Sequence, residues 1–273
     1  MYPIKLIHIS DIHFSSGSLS LQPVDIKQPL IDLINEKIQN DDTAYLILSG
    51  DITFGANMSG YFQGSIFFND IITQTNIQKE NIITCPGNHD ISNSAFKNFD
   101  IFTYQLRNDT KLKFNDASNV LLCYDNLCFL TINSSYHCNC NYGLVNVIHL
   151  KTLLSSQSAD FEHVDNKVAV VHHHFLNFLE NDTSIVRNSY QILDLLKYYG
   201  FTVIFHGHQH TKQEYNINGI KIKGISSPTE GRSSSNLIGY YEINADNNLI
   251  TEEYLYSKDT IQVGMMGRYI KNG

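Results

Sequence analysis

The first third of the chain alternates short, continuously apolar runs with longer segments whose apolar residues recur at helical spacing. Continuous runs are typical of strands buried on both faces, and they occur at residues 6–10, 43–49 and 82–84. Helical spacing predicts two helices between them, at residues 23–40 and 59–75. The second helix is expected to bury an apolar stripe of Phe62, Ile66, Phe67 and Ile71. This order predicts a β-α-β-α-β unit.

The remaining pattern predicts further helices and paired strands. The helices are expected at residues 94–107, 145–155 and 189–199, and two apolar strands at 167–171 and 201–205. Three antiparallel pairs are expected, 120–124 with 128–132, 214–217 with 220–225, and 237–243 with 249–256. We find no internal repeat or linker, so we expect one domain of two packed sheets with outer helices over residues 1–256. Residues 257–273 form a C-terminal tail without a recognisable pattern.

Composition narrows the class of protein. The 273 residues are 42% hydrophobic and carry a formal net charge of −8, without a run of five like charges. This balance argues against a protein that binds by neutralising a nucleic-acid backbone. No apolar stretch is long enough to span a bilayer, and the N-terminus lacks the features of a signal peptide. We therefore expect no membrane contact and a cytoplasmic location.

The cysteines favour a reducing compartment. There are five, an odd number without regular spacing, which predicts free thiols. His137-Cys138-Asn139-Cys140 is the nearest approach to a zinc site, but a Cys-X-Cys pair disfavours the usual zinc knuckle. We expect ordinary buried or loop thiols there, and also at Cys123 and Cys128.

Polar residues of metal-binding type follow the apolar strands. Residues i and i+2 of an extended chain face the same side, so Asp11 and His13 present a carboxylate and an imidazole together. Ligands in such sheets bind beyond the carboxyl ends of the strands. The candidates in this position are Asp11, His13, Asp51, Asn88, His172, His206 and His208. Carboxylate, amide oxygen and imidazole suit manganese, iron or zinc, and seven ligands are enough for two ions.

Taken singly, several of these residues have ordinary explanations. Gly50-Asp51 and Pro86-Gly87-Asn88 are typical of turns, and Asp11 is equally suited to capping a turn or helix. His210 is expected either behind the site or on the surface. The ordered set, and not any single residue, points to a metal site.

Five motifs, in order, resemble those of the calcineurin-like metallophosphoesterases. They are Asp11-X-His13, Gly50-Asp51, Gly87-Asn88-His89-Asp90, His172 after a valine-rich strand, and Gly207-His208 preceded by His206. The resemblance spans residues 6–210 and implies a metallo-dependent phosphatase fold of the α/β (α+β) class. This fold is a four-layer αββα sandwich, in which two mixed β-sheets are flanked by helices.

The resemblance also implies a role for each matching residue. Asp11, His13 and His208 would hold one divalent ion, Asn88, His172 and His206 a second, and Asp51 would bridge the two. The catalytic residues would be His89, facing the substrate phosphate, and Asp90, which would orient its ring. A hydroxide bridging two ions of manganese, iron, zinc or a mixture would attack the phosphorus in line.

The implied substrate is a small phosphodiester, with a nucleotide or cyclic nucleotide favoured. The arginines typical of the protein serine/threonine phosphatases are missing after Gly50-Asp51 and after His89. A DNA-repair nuclease of the same superfamily is an alternative, although the acidic charge and the short segment after the last histidine motif disfavour it. A non-catalytic scaffold, or an effector within a larger assembly, is the second alternative. Candidate substrate contacts are Asn57, Tyr61 and His173, with Tyr136, Tyr142 and Phe175 as possible stacking partners for a base.

Overall fold

Two mixed β-sheets form the centre of the molecule in the computed structural model, which describes residues 3–39, 42–177, 180–229, 236–243 and 249–256. The strands of the first sheet are β1 (Ile4–Ile9), β2 (Thr43–Leu48), β3 (Ile82–Thr84), β10 (Asn236–Ile243) and β11 (Leu249–Tyr256). The strands of the second sheet are β4 (Asn119–Cys123), β5 (Leu127–Ile132), β6 (Asn166–Val171), β7 (Val203–His206), β8 (Gln213–Ile217) and β9 (Ile220–Gly224).

Both sheets contain parallel strands; the first sheet has antiparallel pairing at one edge, and the second has it at both edges. The order in the first sheet is β11-β10-β1-β2-β3, with β1, β2 and β3 parallel. The order in the second is β4-β5-β6-β7-β9-β8, with β5, β6, β7 and β9 parallel. The predicted C-terminal hairpins are present but join different sheets, since β9 pairs with β7 and β10 pairs with β1. The parallel strands bring their carboxyl ends to one edge of each sheet.

Helices cover the outer face of each sheet, which makes the predicted four layers. The helices beside the first sheet are α1 (Pro23–Lys37), α2 (Met58–Gln74) and α3 (Lys97–Arg107). Those beside the second are α4 (Val147–Ser156), α5 (Ser158–Phe161) and α6 (Ser189–Tyr198). Strand β6 shows the layering directly. Val168 and Val170 pack between the sheets, whereas Ala169 and Val171 pack under α4–α6, as the period of two along a strand requires.

The buried face of α2 differs from the predicted one. Phe67 and Ile71 are buried as expected, but Phe62 and Ile66 are 65% and 49% exposed. The helix instead packs through Gly60 and Gly64, together with Tyr61 and Phe68. A Cβ atom at Gly60 would lie 2.0 Å from Thr53 Oγ1, so only glycine permits this close approach. The stripe prediction was wrong because helical spacing alone does not show which face carries the small residues.

The cysteine prediction was wrong for one pair. Cys123 and Cys128 occupy opposite positions in the β4–β5 hairpin and are joined by a disulfide. Cys85, Cys138 and Cys140 are free thiols, as predicted. No helix in the described part of the chain is long and apolar enough to cross a membrane. The C-terminal tail at 257–273 lies outside the described residues.

Candidate active site

The carboxyl ends of both sheets meet at one place, and most of the predicted ligands lie there. Asp11 and His13 follow β1, Asp51 follows β2, Asn88 follows β3, and His172 comes directly after β6. His208 and His210 follow β7. Asp11, His13, Asp51, His208 and His210 all have positive φ, between 48° and 73°. Left-handed backbone is unfavourable for such residues, and its concentration at one site is typical of a functional centre.

Glycines in the motifs make this convergence possible. A Cβ atom at Gly87 would lie 2.1 Å from Asp51 Oδ1, and one at Gly207 would lie 2.3 Å from Asp11 Oδ2. The backbone N–H of His89 donates to Asp51 Oδ1 at 2.8 Å, and that of His208 donates to Asp11 Oδ2 at 2.9 Å. One oxygen of each carboxylate is therefore held by the backbone, and the other is left to face the histidines.

The first group of potential metal ligands consists of Asp11, His13 and His210. Asp11 Oδ1 lies 3.1 Å from His210 Nε2 and 3.9 Å from His13 Nε2. The two imidazole nitrogens are 3.3 Å apart. Asp51 Oδ2 lies 3.9 Å from His13 Nε2, so it reaches the edge of this group as well.

The second group consists of Asp51, His172 and His208, with Asn88 beside it. His172 Nε2 lies 3.1 Å from Asn88 Oδ1, 3.2 Å from His208 Nδ1 and 3.3 Å from Asp51 Oδ2. On the other side of the ring, His172 Nδ1 donates to the Ser49 carbonyl at 2.8 Å. This contact fixes the tautomer that leaves Nε2 with a lone pair, as in many metal-binding histidines.

The donor chemistry of the site fits two divalent cations. Around His172 Nε2, a carboxylate oxygen, an amide oxygen and another imidazole nitrogen converge, and all of them are acceptors or lone-pair donors. Acceptors placed this close together in a buried site favour a positive charge between them, which a bound cation would supply. Asp51 Oδ2 lies 3.3 Å from His172 Nε2 in the second group and 3.9 Å from His13 Nε2 in the first, which suits it to bridge two ions. The nitrogen and oxygen ligands suit manganese, iron or zinc.

The protonation states of these residues are consistent with a cation site. Burial alone would raise the pKa of Asp11 and Asp51, but neighbouring histidines hold the pKa of both carboxyls below the usual range. Burial lowers the pKa of His208 to about 3, so this imidazole is neutral. Burial opposes protonation of His172 too, yet Asp51 and Asp11 raise its pKa to about 9. The excess negative charge of the site thus draws a positive charge into its centre.

His89 lies next to both groups without joining either. Its ring stacks on Phe54, with centroids 4.7 Å apart and planes 26° apart, and meets the edge of His13 at 5.0 Å. The ring is half-buried at the mouth of the site. This is a suitable place for a group that acts on a bound substrate.

Asp90 does not contact the His89 ring in the way that the sequence predicted. Its carboxylate accepts hydrogen bonds from the Gly87 N–H at 2.9 Å and from the Tyr61 hydroxyl at 2.8 Å. Burial, followed by repulsion from Asp51, raises the pKa of Asp90 to about 7. Asp90 points into the protein because the turn at residues 88–90 folds its side chain back over Gly87. Asp90 therefore holds the turn, and Phe54 is the residue against the His89 ring.

The structure does not bring His206 into either group. The side chain is fully buried, Nδ1 lies 3.0 Å from the Gly207 carbonyl oxygen, and the ring packs against Gly224. Burial lowers the pKa of His206 to about 4. His206 is the last residue of β7, so its side chain follows the strand pleat into the interior. His210 lies beside Asp11 and His13, where the sequence placed His208, and His208 lies beside His172.

The predicted substrate contacts have other surroundings. Tyr61 is 2% exposed and bonded to Asp90, so it presents no surface to a substrate. The Asn57 side chain caps α2 by accepting from the Ser59 N–H at 2.8 Å. His173 is buried, bonds Ser134 Oγ at 2.7 Å through Nδ1, and packs on His208 at 4.4 Å. Phe175 is buried and so cannot stack on a base, and the Tyr142 ring already contacts Arg187 and His137.

Two residues at the site were missed, His210 and Phe54. The signal for His210 was present, since His206-X-His208 and His208-X-His210 have the same i, i+2 spacing. Only Gly207 distinguishes the pair His206/His208 from the pair His208/His210. The close approach to Asp11 requires a glycine directly before the first ligand, and Gly207 directly precedes His208. Phe54 carried no comparable signal, as nothing in the local sequence shows that its ring reaches His89.

Comparison with known proteins identifies the class. The family model for calcineurin-like phosphoesterases matches residues 4–212, and the chain belongs to this family. The two mixed sheets with flanking helices match the metallo-dependent phosphatase fold.

The individual proteins that this chain resembles share little of its sequence. A metallophosphoesterase-like protein of uncharacterised function from Bacillus subtilis, YydB, is 30% identical over 91 residues, 33% of this chain. The match spans only 18% of that relative. A dimetal phosphatase from Danio rerio superimposes with a TM-score of 0.66 at 11% identity, over 87% of this chain and 92% of the other. GAP50, described as the anchor in the inner membrane complex of Plasmodium, superimposes with 0.64 at 13% identity, over 99% and 89%. These two structures show the fold alone.

Proposed function

We propose that this protein is a dinuclear metal-dependent phosphodiesterase acting on a small substrate, with a nucleotide or cyclic nucleotide favoured. The observation that carries the proposal is the pair of ligand groups that share Asp51 Oδ2. Asp11, His13, His210 and Asp51 would hold one ion. Asp51, Asn88, His172 and His208 would hold the other, and both ions would be manganese, iron, zinc or a mixture.

Two ions at such a site, when bound, neutralise phosphoryl charge and make water acidic enough to act as a nucleophile at neutral pH. The protein residues supply the rest. Backbone N–H groups of His89 and His208 fix the two carboxylates, so the ligands need little reorganisation when substrate binds. The His89 ring, held between Phe54 and His13, donates a proton to the leaving oxygen from a ring nitrogen.

Asp90 and Tyr61 contribute through position and not through contact with substrate. Their hydrogen bond of 2.8 Å ties α2 to the turn that carries Asn88 and His89. Both side chains are buried, so they act by holding this turn. We therefore replace the predicted catalytic role of Asp90 with a positioning role.

The partner is a small phosphodiester, and nucleic acid remains disfavoured by the net charge of −8. We propose a cytoplasmic location, as the sequence predicted, although a disulfide such as Cys123–Cys128 is uncommon there. Thiol titration of the protein isolated under native conditions would show whether the pair is oxidised in the cell.

A hydrolysis panel tests the proposed reaction. The metal-supplemented protein would be assayed with bis(4-nitrophenyl) phosphate, 4-nitrophenyl phosphate, cyclic nucleotides and single-stranded DNA. We expect diester turnover to exceed monoester turnover and DNA to remain intact. Efficient DNA degradation would instead favour the nuclease. Absence of turnover with every metal and substrate would favour a scaffold, the kind of role for which GAP50 is named.

A further inference from the structure

An exposed apolar stripe begins at the candidate active site. Met58, Phe62 and Ile66 recur every four residues on α2, so they share one face of the helix. They are 52%, 65% and 49% exposed, and Phe54, in the turn directly before α2, is 50% exposed. Four large apolar side chains in sequence on the surface are unusual for a face with no ligand. We refer to these four residues as the α2 stripe.

One end of the α2 stripe adjoins His89 in the candidate active site, and the other end adjoins a cavity. At the near end, the Phe54 ring stacks on His89 at 4.7 Å. At the far end, Ile66 also lines a cavity of about 270 Å³. The other residues lining this cavity are Phe14, Gln22, Pro23, Val24, Lys27, Gln63 and Phe67. Met58 and Ile66 are about 12 Å apart along the helix axis.

The dimensions of this surface favour a substrate group over a protein partner. A stable protein interface buries about 800 Å² on each side and uses some 20 to 30 residues, whereas the α2 stripe consists of three side chains on one helix and one from the preceding turn. A narrow apolar path that leaves a reactive group and ends in a small cavity fits a single chain or ring of a bound ligand. Lys27, at the cavity, is paired with Asp70 at 2.6 Å, so the cavity offers no unpaired charge from that lysine.

We propose that the α2 stripe binds an extended apolar substituent of the phosphoester substrate, with Phe54 as its first contact and the cavity beside Ile66 as its far end. The inference rests on the proposed function only in taking the phosphate to bind beside His89. It favours phosphoesters that carry an aryl or alkyl group next to the phosphorus over the nucleotides that the sequence favoured. Phe54 also keeps the His89 ring in place, so it is both a specificity-determining and a positioning residue.

Binding of alkylphosphonates tests this proposal without any turnover. Calorimetry with the manganese-loaded protein would compare methylphosphonate with hexylphosphonate, which share one head group and cannot be hydrolysed as esters. A fully buried methylene contributes about fourfold in affinity, so five half-buried methylenes should lower the Kd roughly thirtyfold. We expect Met58→Gln and Phe62→Gln, at the two helix positions of the stripe nearest Phe54, each to remove most of this dependence on chain length while leaving methylphosphonate binding unchanged.

Ile148→Gln is the matched control, because Ile148 is 82% exposed on α4, outside the stripe. It should keep the full dependence on chain length. Three results would overturn the proposal. The two phosphonates could have equal Kd values in the wild-type protein, both could fail to bind, or the dependence on chain length could survive in both stripe variants. Chain-length dependence in a protein that hydrolyses no phosphodiester would uphold the stripe and refute the proposed reaction, so the two failures are distinguishable.

Discussion

The two ligand groups differ in how firmly the protein holds them. In the second group, His172 is fixed through Nδ1 by the Ser49 carbonyl, and His208 packs against the His173 and His174 rings. His174 is itself held by Asp182 at 2.6 Å. In the first group, His13 Nδ1 has no hydrogen-bond partner within the described residues, and the His210 side chain is 20% exposed. The second group is supported from behind, and the first opens toward solvent.

This difference predicts that the two groups bind metal ions with different affinities. Residues behind the ligands fix ring orientation and typically change metal affinity about 10- to 100-fold. We expect the second group to fill first and the first group to exchange more readily. Because Asp51 faces both groups, its loss should affect both ions.

Asp51→Asn should have the largest effect, since it removes the charge shared by the two groups. We expect the metal content to fall below one ion per chain and turnover to fall by more than about 10³-fold. Metal analysis and the diester assay measure both quantities. Asp125→Asn, at an exposed position, is the control and should change neither. Full metal content in Asp51→Asn would contradict the bridging role.

His89→Ala should come next, because it removes the proton donor while leaving every ligand in place. Turnover should fall about 10²- to 10⁴-fold, the usual contribution of general acid catalysis, with two ions still bound. The loss should be smaller for substrates whose leaving group needs no proton, such as 4-nitrophenolate. His163→Ala, on the surface, is the control. An unchanged rate with a poor leaving group would refute the assignment of His89.

His210→Gln and His206→Gln together test which of these two histidines binds metal alongside His208. We expect His210→Gln to lose the more weakly held ion and about 10²-fold in turnover, part of which returns at high metal concentration. His206→Gln should keep two ions and a rate close to that of the wild type, since His206 lies outside both groups. The reverse pattern would restore the ligand set that the sequence predicted. Thermal unfolding of both variants checks that each is folded.

Asp182→Ala should have a smaller effect than Asp51→Asn, His89→Ala or His210→Gln. It releases His174, which stacks on His208 with centroids 5.6 Å apart, so only the support of the second group is weakened. We expect the affinity for the more tightly held ion to fall about tenfold, as for other residues behind a ligand. A calorimetric metal titration measures this change in affinity. Asp194→Ala on α6 is the control, and an equal loss in both variants would rule out a specific contribution from Asp182.

The fold and most of the site could be predicted from the sequence for a physical reason. Strands such as 167–171 are continuously apolar because both faces are buried, and the ligands follow them because parallel strands end at one edge. Short-range patterns of this kind are visible without coordinates. The placement of Asp11, Asp51, Asn88 and His172 at one point followed from them.

What the sequence missed depended on contacts between distant segments. The choice between His206 and His210 turns on the approach of Gly207 to Ser10 and Asp11, almost 200 positions away along the chain. The exposed face of α2 is set by Gly60 packing on Thr53, and the partner of Asp90 is Tyr61 rather than His89. The Cys123–Cys128 bond depends on hairpin register. None of these contacts leaves a periodic signature.

The most direct test is a crystal structure of the manganese-loaded protein with anomalous scattering measured at the metal. We predict two anomalous peaks, one against Asp11, His13 and His210 and the other against Asn88, His172 and His208, with Asp51 touching both. Density for His206 should remain in the interior, away from either peak. A single peak, or a metal bonded to His206 in place of His210, would contradict the proposed centre.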